Sequence, residues 1–465
     1  MISHKLAVEI LNIALSSGAD FAEIYHEEKK SQSISVENGR IENIGHSNTV
    51  GVGLRILKNN ECYFGSLDGE NKKDLIKLAS SLAAALKGER ILEVKSFKNV
   101  HYKKRLLTDE PIYNVDIDKK INLVKEGVEA IMNYDSRLVR TIGSFSSSKK
   151  KITVFNSREQ KINRDEQRGS LTFMSIASDG KGFEQAFVSR NTQENYSFYE
   201  KLDVKKLAID NVAKIAIQNL LAKECPAGRM PVVIGNGWGG VLFHEACGHA
   251  LESTSVAKKQ SVFADKKGQQ IASSIVTAYD DGTIPGVWGS IDIDDDGHPG
   301  QKKELIKNGI LTEYMIDDYN GRRMNEIGNG STRRENYRYA PTSRMTNTYI
   351  ANGESTPEEI IKATKLGLYT VGFLGGQVNP QTGEFNFGCS EAYIIRDGKI
   401  CEPVKGASLI GTCQEIMQNI DMVGNDLDLG AGMCGSQSGS VPVCVGQPTL
   451  RIKEITVGGR GGKLE

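Results

Sequence analysis

The sequence MPVVIGNGWGGVLFHEACGHALES, residues 230–253, combines a short apolar run, a cluster of glycines and two histidines. The apolar run Val232–Ile234 predicts a buried strand, and the glycines that follow it predict a turn before a helix. That helix would carry His244, Glu245 and His249. Two imidazoles with a carboxylate beside the first are the groups that a zinc hydrolase uses to activate water. The stretch therefore predicts a strand–turn–helix unit that carries a metal site.

The spacing of the two histidines differs from that of the common zincin motif, in which they are four residues apart and share one helix face. His244 and His249 are five residues apart, so on a regular helix they would diverge by about 140°. Both can reach one metal only if the turn between them is widened, and Gly248 permits a π-bulge or a break there. We therefore predict that the helix departs from α-geometry between Glu245 and His249. The alternative is two unrelated histidines on a half-buried helix.

The glycines of the same stretch also fit a second pattern, because Gly235, Gly237 and Gly240 spell the dinucleotide fingerprint G-x-G-x-x-G. That fingerprint requires a second strand that ends in an acidic residue about 20 positions later. Residues 253–262 offer neither. The missing strand and acidic residue argue against a nucleotide-dependent oxidoreductase. This alternative predicts a chain without zinc, so zinc analysis would test it.

A catalytic zinc needs a third protein ligand, and the residues leave two candidates open. Glu252 lies seven positions after Glu245, near the same helix face, and could bind the metal or support His249. Cys434 lies in the glycine-rich segment GAGMCGSQSG, where glycines would let the backbone approach a metal, and thiolate is a good zinc ligand. Cys444, in an apolar strand, is expected in the core.

Further blocks of sequence in residues 230–460 resemble one family and occur in that family's order. With the motif HEACGH, they make the chain resemble the TldD half of the TldD/PmbA family, zinc-dependent peptidases that carry HExxxH. The blocks are DDGTIPGVWGS (280–290), KNGILTEYM (307–315), RRENY (333–337), PTSRMTNTY (341–349), GGQVNPQTGEFNF (375–387), SEAYII (390–395), PVKGASLIGT (403–412), MVGNDL (422–427) and VPVCVGQPTL (441–450).

The resemblance implies a site and an activity. In the family the third ligand is a cysteine of the C-terminal glycine-rich segment, and Cys434 is the matching position. This implies Zn2+ bound by His244, His249 and Cys434, with Glu245 as general base, and unfolded or unstructured peptides as substrates. It also implies a homodimer, or a heterodimer with a PmbA/TldE-type subunit. The alternative is a non-catalytic, peptide-binding partner subunit, and the presence of all four residues argues against it.

Composition excludes several other classes of protein. The 465 residues include 58 basic and 58 acidic side chains, so the chain lacks the net positive charge typical of nucleic-acid binding. The first residues do not resemble a signal peptide, and no segment has about 18 uninterrupted apolar residues. Eight cysteines without a C-x-x-C pair are typical of reduced thiols. We expect a cytoplasmic protein that contacts neither membrane nor nucleic acid directly.

The pattern of elements predicts an α+β protein. We expect an N-terminal α+β region with antiparallel sheets and a mainly β C-terminal catalytic domain, barrel or sandwich-like, that carries the HExxxH helix. The predicted domains are 1–100, 101–225 and 226–465. Within the first two, helices are predicted over 4–17, 71–87, 117–132 and 201–222, a hairpin turn at Asn38-Gly39, and a solvated hairpin at the lysine run 149–151.

One segment of the C-terminal region begins like a calcium-binding loop. Asp292, Asp294 and Asp296 precede Gly297, but the twelfth position is Lys303, where a bidentate glutamate is needed. The segment is therefore predicted to be a charged hairpin turn, and His298 within it is not expected to bind a metal.

Overall fold

The computed structural model describes residues 2–105, 111–379 and 381–464. Its N-terminal half combines helices with long antiparallel strands, which confirms the predicted α+β class. The helices of this half are α1 His4–Ala14, α2 Lys72–Ala84, α3 Ile117–Met132, α4 Ser197–Glu200, α5 Val204–Ala208 and α6 Lys214–Leu221, with a 3-10 turn at Ile112–Asn114 and a π turn at Ile209–Ala213. The strands are β1 Phe21–Glu37, β2 Arg40–Lys58, β3 Glu61–Asp68, β4 Lys98–Asn99, β5 Leu138–Asn156, β6 Gln160–Ser178 and β7 Phe183–Thr192.

These seven strands form one sheet in the order β3-β2-β1-β5-β6, and both β4 and β7 pair with β6. The turn at Asn38-Gly39 joins β1 to β2, as predicted, with both residues at positive φ. β1 pairs with β5 continuously from Glu23 to Glu37. The predicted boundary at residue 100 therefore lies between two segments that share a sheet, and the division into domains stays a prediction.

The lysine run 149–151 lies inside β5, so the hairpin predicted there is wrong. Lys150 is in register with Lys29 on β1 and with Glu166 on β6. Its ammonium lies 3.2 Å from a carboxylate oxygen of Glu27. The charge of this strand is thus balanced by residues far away in the sequence, which a local pattern of like charges cannot reveal.

Helices cover one face of the sheet. The even-numbered residues of β1 point toward them: Ile24 packs with α1 and α2, and Ile34 packs with α3, α5 and α6. The helices predicted near residues 4–17, 71–87 and 117–132 are confirmed, and the one predicted over 201–222 is divided by its π turn. No helix in the described part of the chain is long and apolar enough to cross a membrane.

The opposite face of the sheet contacts the C-terminal half through buried ion pairs. Glu23 of β1 bonds Arg55 at 2.7 Å and Arg334 at 2.6 Å. Arg334 also bonds Asp295, which in turn bonds Arg164 of β6 at 2.6 Å. The segment around Asp295 does turn back on itself, but its acidic groups are buried against arginines rather than solvated. This ion network fixes the first sheet against the C-terminal half.

The C-terminal half is mainly β, as predicted. Its strands are β8 Lys223–Glu224, β9 Gly228–Ile234, β10 Ala278–Asp281, β11 Lys302–Lys307, β12 Ile310–Leu311, β13 Thr332–Arg333, β14 Thr342–Ser343, β15 Asn347–Ile350, β16 Leu366–Val378, β17 Glu384–Arg396, β18 Lys399–Lys405, β19 Ser408–Thr412, β20 Ile420–Val423, β21 Asp428–Ser436, β22 Gly439–Gln447 and β23 Leu450–Gly458. Its helices are α7 Val241–Phe243, α8 Ser253–Val256, α9 Asp318–Met324, α10 Pro357–Lys362 and α11 Cys413–Asn419.

Two sheets carry this half. Strands β16, β9, β23, β19 and β17 pair in that order, and β17 pairs again with β16, so the sheet closes on itself like a barrel. A second sheet has the order β12-β11-β10-β15-β22-β21. The chain leaves the barrel at the end of β9 and reaches the second sheet through α7, and the candidate site lies along this path.

Candidate metal centre

The predicted departure from α-geometry is present between the two histidines. A 3-10 turn at Gly237–Gly240 follows β9, α7 continues it, and residues His244–Gly248 form a π turn. Gly248 has ordinary helical dihedral angles, φ −55° and ψ −52°, so the widened turn does not require a glycine. A Cβ atom on it would lie 2.2 Å from the sulfur of Met345, so the close packing on this side chain explains the glycine in the motif.

The π turn brings both imidazoles to one cysteine sulfur. His244 Nε2 and His249 Nε2 each lie 3.3 Å from Sγ of Cys434, and the two ring centroids are 5.2 Å apart. All three potential ligand atoms lie within 4.8 Å of one another. In the described part of the chain no other group of three His, Cys, Asp or Glu side chains is arranged in this way.

Strand β21 holds Cys434 opposite the histidines, and two of its glycines, Gly430 and Gly432, allow close packing against a tryptophan. A Cβ atom on Gly430 or Gly432 would lie 2.5 or 2.7 Å from the indole of Trp238. The indole N–H of Trp288 donates to the carbonyl of Gly432 at 2.9 Å. The two tryptophans of the chain thus set the position of the strand that carries the cysteine.

The electrostatics of the cluster favour a thiolate. Burial alone would raise the pKa of the Cys434 thiol, but the neighbouring His244 and His249 lower it to about 3. Burial opposes the charged form of His249, yet Glu252 and Cys434 raise the pKa of that imidazole well above its ordinary value. A thiolate is the form of cysteine that binds metals.

Glu252, the other candidate for third ligand, occupies a different position. Its Oε2 accepts a hydrogen bond from His249 Nδ1 at 3.2 Å, on the side of the ring that faces away from Cys434. The carboxylate is buried, and its second oxygen lies 4.0 Å from Nε of Arg344. Glu252 therefore orients the imidazole of His249, while the sulfur of Cys434 faces both Nε2 atoms.

Arg344 contacts this site and was missed in the sequence, where it lies in the block PTSRMTNTY without an assigned function. The fully buried guanidinium donates to the carbonyl of Cys434, to Ser438 Oγ at 3.0 Å and to the carbonyl of Gly439 at 2.7 Å. Arg344 thereby connects the turn between β21 and β22 with the backbone of Cys434 through hydrogen bonds. A single arginine in a loop gives no sequence pattern that predicts such contacts.

Glu245 lies at the solvent side of the cluster. Its Oε2 is 3.6 Å from His249 Nε2, and its side chain is 31% exposed, whereas His244 is 2% and Cys434 4% exposed. The carboxylate can therefore contact a molecule that approaches the three donors from solvent.

Three models of the family match the chain almost from end to end. They describe PmbA/TldA metallopeptidase domain 1 at residues 22–85, the central domain at 110–224 and the C-terminal domain at 227–459. The chain belongs to the PmbA/TldA metallopeptidase family. This confirms the resemblance found in the sequence, and it makes the chain an enzyme of the metallopeptidase class.

Relatives in the family share this length. The chain is 37% identical to a metalloprotease TldD homolog of Haemophilus influenzae, with 98% of the chain and 97% of that protein covered. It is 35% identical to a metalloprotease TldD homolog of Buchnera aphidicola, with 98% and 96% covered. In fold it is similar to TldE from Thermococcus kodakarensis, with a TM-score of 0.78 at 18% identity over 97% of the chain and all of that structure.

Three other histidines lie away from the cluster. His298 bonds Asp318 at 2.7 Å, and His26 is buried in β1 beside Glu70 at 2.9 Å. His46 lies exposed within β2. The acidic segment around His298 belongs to the ion network between the two halves, so it does not form a calcium loop.

Proposed function

We propose that the chain is a zinc-dependent peptidase that hydrolyses peptide bonds in unfolded or unstructured peptides. His244, His249 and Cys434 would bind the metal, and Glu245 would be the general base. The observation that carries the proposal is the equal distance of 3.3 Å from each histidine Nε2 to the cysteine sulfur. Membership of a metallopeptidase family supports it.

The donor set fits zinc. Two neutral imidazoles and a thiolate are common zinc ligands, and three protein ligands leave a fourth tetrahedral position for water or substrate. The hydrogen bond from His249 Nδ1 to Glu252 fixes the ring so that Nε2 can bind, as carboxylates do for histidine ligands elsewhere. No other side chain is needed to complete such a site.

Glu245 is the residue suited to move protons. A bound zinc ion would polarise the scissile carbonyl and lower the pKa of a water molecule. Glu245 would accept the proton of the attacking water and return it to the leaving amine, since its carboxylate lies beside the cluster and reaches solvent.

The mode of peptide binding is suggested by β16, where the sequence GGQVNP begins at residue 375. Gly375, Gly376 and Gln377 are exposed, and along this part of β16 one edge pairs with β17, whereas β9 pairs only with residues 368–370. Among the described residues the other edge carries no strand, so an extended peptide could add to it by main-chain hydrogen bonds. Pro380, which ends GGQVNP, lies outside the described residues.

We further propose that the protein acts in the cytoplasm as a homodimer or with a TldE-type partner, which the likeness to TldE supports.

The competing function is that of a non-catalytic partner subunit that binds peptides. Zinc analysis of the purified chain and hydrolysis of unfolded casein, with and without chelator, separate the two. We expect about one zinc per chain and chelator-sensitive hydrolysis, both lost in His244→Ala and kept in the control His46→Ala. A chain without zinc or hydrolysis would be the partner subunit.

A further inference from the structure

A cavity of about 540 Å3 lies between the first sheet and the hairpin formed by β21 and β22. The metal centre lies beyond this hairpin, because Met433, Val441 and Pro442 line the cavity, whereas Cys434, which pairs with Val441, faces the two histidines. One hairpin thus separates the two sites, and none of the proposed metal ligands lines the cavity.

The floor of the cavity is a polar patch on the sheet face that points away from the helices. The strand register aligns its side chains in three rows across β1, β5 and β6, and the middle and last rows are mostly serine. The rows are Lys29, Lys150 and Glu166; then Ser31, Ser148 and Arg168; then Ser33, Ser146 and Ser170. Serine hydroxyls and cationic groups are hydrogen-bond donors, so this floor is suited to an oxyanion.

The cations around this floor exceed the carboxylates that could neutralise them. Glu166 already bonds Arg164 and Arg168 at 2.9 and 2.6 Å. Glu335 accepts a hydrogen bond from the backbone N–H of Ser440 at 2.8 Å. Asp294, the third acidic group of the lining, accepts hydrogen bonds from the backbone N–H groups of Asp296, His298 and Thr332. The acidic groups of the lining are therefore already engaged within the protein.

Lys29 and Arg333 form no ion pair within the described residues, whereas Arg168 donates from Nη1 to Glu166 but keeps one buried nitrogen without a partner. Within the described residues, Lys29 Nζ forms neither an ion pair nor a hydrogen bond, and burial and Lys150 lower its pKa. Arg333, 6% exposed, donates only to the carbonyls of Met345 and Pro442. Its pKa is lowered to about 9 by burial and by nearby arginines. The buried Nε of Arg168 also has no partner in the described part of the chain.

We propose that this cavity binds a small oxyanion, either a phosphate or a carboxylate, between Lys29 and Arg168 of the floor and Arg333 of the opposite wall. A bound anion would supply the negative charge that the wall lacks, and the serine hydroxyls would donate to its remaining oxygens. The inference goes beyond the proposed peptidase function and does not depend on zinc.

Calorimetric titration of the full-length protein with inorganic phosphate, at constant ionic strength, tests the proposal. We expect one saturable site, with affinity lowered at least about tenfold in Lys29→Ser and in Arg168→Gln, since a charge-assisted hydrogen bond contributes that much. Lys29 has no bonds to lose, so Lys29→Ser should leave the fold intact. The matched control is Lys151→Ser, which removes the same charge from an exposed position of β5 outside this cavity.

A second titration identifies the source of the anion. N-acetylalanine presents a peptide carboxylate, and its amide lacks that charge. Binding of N-acetylalanine but not of the amide, sensitive to Lys29→Ser, would support a peptide terminus as ligand, whereas binding of phosphate alone would support a phosphate. The proposal is overturned if neither anion binds saturably, or if Lys29→Ser and Arg168→Gln bind both as tightly as the unmodified protein.

Discussion

Two buried polar clusters in this chain differ in how their charges are matched. In the ion network between the two halves, carboxylates and guanidinium groups alternate, and Glu23 bonds two arginines at 2.6 and 2.7 Å. In the metal centre, two imidazole nitrogens and a sulfur converge within 4.8 Å, and these atoms are electron-pair donors. His244 Nδ1 and Glu252 Oε1 are buried there without hydrogen-bond partners in the described residues.

This difference separates a structural cluster from a candidate metal site. An alternating network pairs its charges internally, although one nitrogen each of Arg55 and Arg334 is buried without a hydrogen-bond partner in the described residues, so it stabilises one arrangement of the two halves and needs no ligand. In the cluster of converging donors a protonated His249 balances the Cys434 thiolate, and a metal ion would replace that proton between the three electron-pair donors. The comparison predicts that changes in the first cluster alter folding, whereas changes in the second alter metal binding and turnover.

The largest effect is expected for Cys434→Ser. A neutral hydroxyl is a much weaker zinc ligand than a thiolate. Mutating a residue that only supports a ligand typically lowers metal affinity about 10–100-fold, and we expect a larger loss of zinc affinity here. Hydrolysis should be lost with the metal. Competition with a chromogenic chelator measures the affinity, and Cys444→Ser in the neighbouring strand is the control. Unchanged zinc affinity in Cys434→Ser, with a loss in Glu252→Ala, would make Glu252 the third ligand.

Glu245→Gln should affect turnover alone. The amide keeps the size of the side chain but cannot accept a proton, and a positioned acid–base group typically contributes about 10²–10⁴-fold to the rate. Zinc content and the melting temperature should stay at the level of the unmodified protein, because Glu245 is not assigned as a ligand. Steady-state hydrolysis of a fluorogenic peptide gives the rate. Near-normal turnover would require a different base.

Arg334→Met probes the ion network instead. In this variant Glu23 and Asp295 stay buried, and each loses its ion pair with Arg334. Breaking a buried ion pair typically lowers the free energy of unfolding by about 3–5 kcal/mol. Urea unfolding measures the change. The exposed pair of Arg140 with Glu37 provides the control, since Arg140→Met should have a much smaller effect. Zinc bound per folded chain should not change, and a loss of zinc would show that the two clusters are not independent.

The smallest effect concerns pH. The hydrogen bond to Asp318 raises the pKa of His298 to about 9, with further contributions from Asp294 and Asp296. The folded-state pKa lies above the unfolded value of about 6.5, so the stabilisation is fully present below pH 6.5 and is lost as pH rises through 9. His298→Gln should flatten this decline, by about 1–3 kcal/mol in the free energy of unfolding between pH 7 and 10. Parallel curves for the two proteins would contradict the assignment.

The convergence of the two histidines could be predicted from the sequence because its constraint is local. Their five-residue spacing required a departure from α-geometry, and the π turn provides it. Cys434 could not be chosen over Glu252 from the residues alone, since that choice depends on how β21 packs on Trp238. The choice of Cys434 as third ligand came from the family resemblance.

The features that were missed depend on contacts between distant parts of the chain. The lysine run 149–151 continues a strand because Glu27 and other groups far away in the sequence bind its charges. Arg344 contacts the hairpin of β21 and β22 and lies beside Glu252, and these two segments meet only in the folded chain. Patterns of neighbouring residues carry no information about such partners.

The most direct test of the account is the anomalous scattering of crystals of the purified protein, measured on both sides of the zinc absorption edge. The account predicts one peak per chain, about 2.0–2.3 Å from the Nε2 atoms of His244 and His249 and from Sγ of Cys434. Glu245 should lie beside the peak without binding it. The absence of a peak at this position, or a zinc ion bound by Glu252 in place of Cys434, would contradict the assigned metal centre.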